Sequence, residues 1–193
     1  MPVIRPTGRG EPLATLRDHL TDLLVKELMG ERTRGGPVVF ELPTDRPERV
    51  DVIVVWEAWR SLPSDGRSTV VRDAYLRYAK VLESGIHYLE PEKSRDPIVP
   101  VPSTVIAATW QDVSSNNLLP YEIQPEPKSG EVDLDDMRLL MLEVGAIETP
   151  AGVRLRYPDA EMAADAYARL SEEMPEAHWS IVETVGAVNG GSL

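Results

Sequence analysis

The sequence predicts an α+β fold: two small α-β-β-α type units, with antiparallel or mixed sheets covered by helices. Three observations carry this expectation. Leucines recur at three- and four-residue spacing over residues 11–29, the period of a helix with one apolar face. Two apolar, β-branched runs, Val38 to Leu42 and Val50 to Trp56, flank the turn cluster PTDRPER, as the strands of a hairpin do. The order helix, strand, strand, helix then returns after a proline- and glycine-bearing stretch at 125–131.

The first helix places Leu13, Leu16, Leu20, Leu23, Leu24 and Leu28 on its apolar face, with Pro12 suited to the first turn and Gly30 to the stop. The glycines and proline at 35–37 break the chain before the first strand. The second strand is apolar on both faces, which predicts a central position covered from both sides. Ser64 is read as the cap of a helix in which Val70, Val71, Ala74, Tyr75, Tyr78 and Leu82 repeat, ending near Gly85. A short strand is expected around Ile86 to Leu89 or Ile98 to Val101, separated by the charged loop PEKSRDP. Ser103 is read as capping a further helix through Val113, and Tyr121 to Gln124 as a short strand.

The stretch PEPKSGE, residues 125–131, has the composition of a linker, and divides an N-terminal α+β domain, 1–124, from an acidic C-terminal domain, 132–193. Beyond it, Leu134, Met137, Leu140, Met141 and Val144 define a helix closed by Gly145. Ala146 to Glu148 and Val153 to Tyr157 flank a TPAG turn; Met162, Ala163, Ala166, Tyr167 and Leu170 mark another helix, and Trp179 to Val185 a last strand. The shared order of the two halves reads as a common way to cover one face of a small sheet rather than as a duplication.

At 193 residues the chain buries roughly 70% of its unfolded surface on folding, enough for a core without staples. It has no cysteine, which excludes disulfides, thiolate metal sites, cysteine-held iron–sulfur clusters and cysteine nucleophiles. The longest apolar run, Val52 to Trp56, falls far short of the ~20 residues of a membrane helix, and the N-terminus lacks the apolar stretch of a signal peptide. A cytoplasmic, bacterial protein is expected. The net charge of −12 is uneven: residues 1–95 carry 15 basic and 15 acidic residues, and residues 96–193 carry 5 and 17. Nucleic-acid binding, which needs a basic face, is therefore open only to the N-terminal half, and only if its arginines cluster.

Over residues 11–90, the segments VIVVWEAWRSLPSDGRSTVVRDAYLRYA and GIHYL resemble the BolA-like proteins, small α-β-β-α-β-α modules. The resemblance implies that Trp59 matches the aromatic after the second strand and Arg67 an arginine of the family's basic helix. It also implies that His87 matches a histidine that helps bind an iron–sulfur cluster shared with a glutaredoxin. The family's arginine-histidine-arginine triplet reads Arg67, Ser68, Thr69 here, and the loop between the strands offers no histidine or cysteine as a second ligand. What the resemblance implies is thus an interaction module, and no cofactor is expected.

Local chemistry adds little. His19, His87 and His178 stand on separate elements without a second ligand at helical spacing, so no metal site is expected. Asp133, Asp135 and Asp136 precede an apolar helix and read as its N-terminal cap rather than as a cation site. Gly35 and Gly36 are not followed by the helix that a phosphate loop needs; Arg32 and Arg34, with Arg5 and Arg9, read as ordinary solvated charge, with contact to an acidic partner or phosphate as the alternative. No nucleophile elbow or zinc-protease motif occurs, and no catalytic residue is assigned. Trp56 and Trp179 read as core. Trp59, followed by Arg60, is the best candidate among the tryptophans for an exposed anchor, although core packing is the leading reading for it too. The binding residues expected are thus Trp59, Arg60, Arg67 and His87. The function expected is a non-catalytic protein-binding or regulatory role, with a protein partner or a homo-oligomer. The alternatives are a small enzyme with a polar site between the halves near His87, or nucleic-acid binding through the N-terminal half.

Overall fold

In the computed structural model, which describes residues 13–31, 34–86, 100–125, 133–149 and 152–184, the leucine repeat forms α1 (Leu13–Leu28). Gly30, at φ 82°, ends it by turning its N–H to the Glu27 carbonyl and that of Glu31 to the Lys26 carbonyl, the paired bonds of a Schellman stop. The hairpin is β1 (Val38–Pro43) and β2 (Arg49–Val55), antiparallel with Phe40 opposite Ile53. A single 3-10 turn, Glu57–Trp59, leads into α2 (Ser64–Ile86), after which the chain returns as β3 (Val101–Ala108), parallel to β2. Then follow α3 (Trp110–Asn116), β4 (Tyr121–Pro125) and α4 (Leu134–Glu143). The last elements are β5 (Ile147–Thr149), β6 (Gly152–Tyr157), α5 (Ala160–Glu173) and β7 (Trp179–Glu183). The strands form a mixed sheet, β1-β2-β3, and an antiparallel sheet, β5-β6-β4-β7, so the fold is α+β.

The central strand β2 is covered on both faces, as its composition predicts. Val52 and Val54, with Trp56, pack against Leu20 and Leu24 of α1 and Val70, Val71, Ala74 and Tyr75 of α2. Ile53 and Val55 point the other way and join Phe40, Ala108, Val113, Ile123, Leu140, Met141, Leu155 and Leu170 in a second core. Alternation of side chains across a strand makes this division automatic. Each fully buried Val, Leu or Ile contributes about 1.5–3 kcal/mol, so this second core binds the halves together.

That packing corrects the expected domain boundary. A division at 125–131 leaves β4 with the N-terminal domain, yet β4 pairs with both β6 and β7, with Ile123 opposite Leu155 and Ile181. The polar composition of a linker marks where the chain is solvated, not which sheet the preceding strand joins. The expected helix from Ser103 is also corrected. Residues 101–108 are β3, with Val105 opposite Val52 and Ile106 opposite Ile53, because pairing to β2 outweighs a weak helical spacing in a β-branched run. The helix starts at Trp110 instead. Thr109 caps it, its hydroxyl accepting from the Asp112 N–H while the Asp112 carboxylate accepts from the Thr109 N–H. Ile86 ends α2, and 87–89 lie outside the described residues. Ser64 is the first helical residue of α2 rather than its cap, since the Pro63 carbonyl already accepts from the Arg67 N–H.

Candidate functional site

The structure brings three of the expected binding residues together, in a corner where the 3-10 turn, α2 and α3 meet. Trp59 is 0% exposed, in line with core packing and against the exposed-anchor alternative. Its indole Nε1 donates to the Ala108 carbonyl at 3.0 Å, and its ring meets Trp56 edge-on at 5.7 Å. The 3-10 turn folds the chain back under the end of the sheet, so Trp59 turns inward while Arg60, next in sequence, stays exposed and pairs with Glu57 at 2.5 Å. Glu57 in turn accepts from the Trp110 N–H at 2.6 Å, over the start of α3.

Arg67, with a side chain only 13% exposed, donates from Nε to the Leu62 carbonyl at 2.9 Å and from Nη1 to Asp112 Oδ2 at 2.8 Å. The Thr109 N–H, then the Thr109 hydroxyl and Arg67, hold the Asp112 carboxyl below its ordinary pKa against the opposing effect of burial. This corner therefore spends its polar groups on joining elements. His87 lies outside the described residues.

Other candidates are likewise engaged in the fold. Asp133 caps α4, its carboxylate accepting from the N–H groups of Asp135 and Asp136. His19 and His178 are exposed. Among the described residues no three His, Asp or Glu side chains gather as metal ligands. On α2, Arg67, Arg72 and Arg77 follow at five-residue intervals, roughly 140° apart around the helix, so they form no continuous stripe. Arg77 is bonded to Asp18 and Asp22 of α1. The buried Glu122 of β4 is held by Arg154 and Arg156 of β6, and Arg156 lies 5.5 Å over the Trp110 ring.

What sequence reasoning missed is a cleft of about 910 Å³ between the two halves, with residues 34–40 on one side and α4, β5 and α5 on the other. Its floor is apolar: Phe40 and Tyr157, edge-to-face at 6.1 Å, with Val38, Leu142, Met162 and Ala166. The exposed Leu139 stands at its mouth, 60% accessible. Its rim is charged. Glu148 reaches Arg138 at 2.9 Å and Arg34 at 3.7 Å, closing one end, while Arg169 reaches Glu143 at 3.2 Å and Glu173 at 2.6 Å. Asp135 and Asp165, also on the rim, have no ion pair among the described residues.

The cleft also exposes backbone. Within the described residues β1 pairs with β2 alone, so alternate residues of β1 turn their N–H and C=O groups toward the cleft side. Sequence signals existed for one wall only, the Gly35-Gly36-Pro37 break and Arg34. The other wall, more than 90 residues away in the chain, carries no local mark.

Comparison with protein-family models, with curated proteins and with solved structures finds no match to this chain.

Proposed function

We propose that this is a non-catalytic binding protein whose cleft between β1 and the α4 and α5 helices receives a segment of a protein partner. The observation that carries the reading is the apolar floor lying beside the edge of β1, which pairs with β2 alone among the described residues. Such a surface offers burial to side chains and hydrogen bonds to a main chain, a combination suited to polypeptide. The polar groups of the corner at Trp59, Arg60 and Arg67 are engaged within the fold, which favours the cleft as the binding surface. A cysteine-free chain suits the cytoplasm, where we place it. Among the described residues no helix is long and apolar enough to cross a membrane.

The test is affinity capture from the source cells with the tagged full chain and with Leu139→Arg. Leu139 is exposed at the cleft mouth, so the substitution changes stability by no more than about 0.5 kcal/mol while obstructing the cleft. A stoichiometric protein captured by the wild type and lost with Leu139→Arg supports the reading. Capture that is indifferent to the substitution, or recovery of a small molecule alone, refutes it.

A further inference from the structure

We infer that the turn end of the β1–β2 hairpin, with the start of β3, is a binding site for a small zwitterion, an α-amino acid held by its carboxylate and its ammonium group at once. This site is separate from the cleft and does not rest on the reading of it. A β-bulge forms one wall. Val50 stands opposite Pro102 and Val52 opposite Val105, so Ser103 and Thr104 of β3 together oppose Asp51 of β2, an irregularity rarely found between parallel strands. The bulge cancels the alternation of side chains, and both hydroxyl residues are exposed. It also frees the Thr104 N–H, which donates to Asp51 Oδ1 at 2.9 Å.

The hairpin turn supplies the other wall. Thr44 Oγ1 accepts from the Arg46 N–H at 3.2 Å and directs its own proton to the carbonyls of Arg46 and Arg49, at 3.0 and 3.1 Å. The Arg49 N–H donates in turn to the Arg46 carbonyl at 2.9 Å. One hydroxyl thereby pins the turn that carries both arginines. Between turn and bulge lies a cavity of about 360 Å³, at the small end of the usual range for ligand sites, onto which Asp45, Arg46, Arg49, Asp51, Ser103 and Thr104 open.

Charge selects the ligand. Arg60, Arg67, Arg77, Arg138 and Arg169 each hold a carboxylate. The guanidinium groups of Arg46 and Arg49 have no ion pair or hydrogen bond among the described residues, and neither has the Asp45 carboxylate. A lone anion at this place meets two guanidinium groups but also two carboxylates, and a lone cation meets the same conflict. A zwitterion satisfies both signs, its carboxylate on the arginine donors and its ammonium on the aspartates. Ser103 and Thr104 add hydroxyls for a polar side chain. The cavity is lined by no aliphatic or aromatic side chain among the described residues, so apolar burial adds little and the expected Kd is about 1 mM.

The test titrates L-serine into the full chain and follows the backbone amides by NMR. Saturable shifts confined to residues 44–51 and 101–105 are expected. N-acetyl-L-serine, which lacks the ammonium, ethanolamine, which lacks the carboxylate, and D-glucose, which lacks both, should each bind at least about tenfold more weakly. Two double variants separate this assignment from overall electrostatics. Arg46→Gln/Arg49→Gln makes the protein more acidic and Asp45→Asn/Asp51→Asn less acidic, yet both should weaken L-serine by about tenfold. The asparagine carbonyl at 51 can still accept from the Thr104 N–H, and Asp45, Arg46 and Arg49 are exposed, so the fold tolerates both variants.

Absence of a saturable shift with L-serine at about 20 mM overturns the site. Equal affinity of any of the three analogues overturns the zwitterion, and so do double variants that act in opposite directions, which would leave a site for a lone anion or a lone cation. None of these results bears on the cleft, whose reading is tested by Leu139→Arg.

Discussion

Deleting the Trp59 side chain measures how far the corner beside α2 is a core rather than a contact surface. The indole is fully buried, and burying about 150–250 Å² of aromatic surface at ~25 cal/mol per Å² is worth roughly 4–6 kcal/mol. Core Trp-to-Ala substitutions cost about 3–5 kcal/mol, because the cavity relaxes in part. The lost hydrogen bond adds about 1 kcal/mol or less. The Ala108 carbonyl that accepts it at 3.0 Å still holds the Trp56 N–H, also at 3.0 Å, and is not orphaned. Trp59→Ala should therefore cost about 4 kcal/mol or more, a large part of the 5–15 kcal/mol by which a typical domain is stable. Trp59→Phe retains most of the ring and should cost about 2 kcal/mol. Urea unfolding followed by circular dichroism reads both as a lower midpoint at an unchanged slope. A cost below about 1 kcal/mol for Trp59→Ala would refute the reasoning, because no surface of that size can be removed from a packed interior so cheaply. Loss of partner capture with stability intact would return Trp59 to the role of an exposed anchor.

Two further outcomes follow from the same geometry. The folded Asp112 carboxyl titrates below its ordinary value, so its stabilising effect is complete above about pH 4 and disappears as the pH falls through the lower folded value. The stability difference between wild type and Asp112→Asn should thus be constant near neutrality and close in acid, with carboxyl NMR of Asp112 locating the midpoint; a difference that widens in acid reverses the sign of the argument. Gly145 holds φ at 95°, and a Cβ there would meet nothing within 4 Å, so Gly145→Ala carries a backbone cost alone. It should lower stability by about 1–2 kcal/mol in thermal unfolding, whereas a neutral result would mean that the bond from the Ala146 N–H to the Met141 carbonyl does not need this turn.

Much of the local structure was legible in the residues. Helix stops at Gly30 and Gly145 and the Asp133 cap depend on groups within a few positions of one another, and each stands where the sequence places it. The doubly apolar run in β2 predicts its central position, since a strand with no polar face must be covered twice. The site was legible only in part. Arg34 and the 35–37 break stood out, but nothing near α4 or α5 in the chain announces that their rim faces β1. Burial of Trp59 was the leading reading and holds, but one indole in a short turn has no periodicity to show which core it joins.

The sequence by itself determined the fold class, the ends of most helices, the two-sided burial of β2 and the concentration of negative charge after residue 95. These are set by local hydrogen bonds, residue spacing and composition. Only the tertiary structure decided that 101–108 pairs with β2 as a strand, that β4 belongs between β6 and β7, and that a cleft opens between β1 and the helices of the other half. Each of these depends on contacts between residues far apart in the chain. An apolar pattern reports that a face is buried, and leaves to three dimensions the question of what buries it.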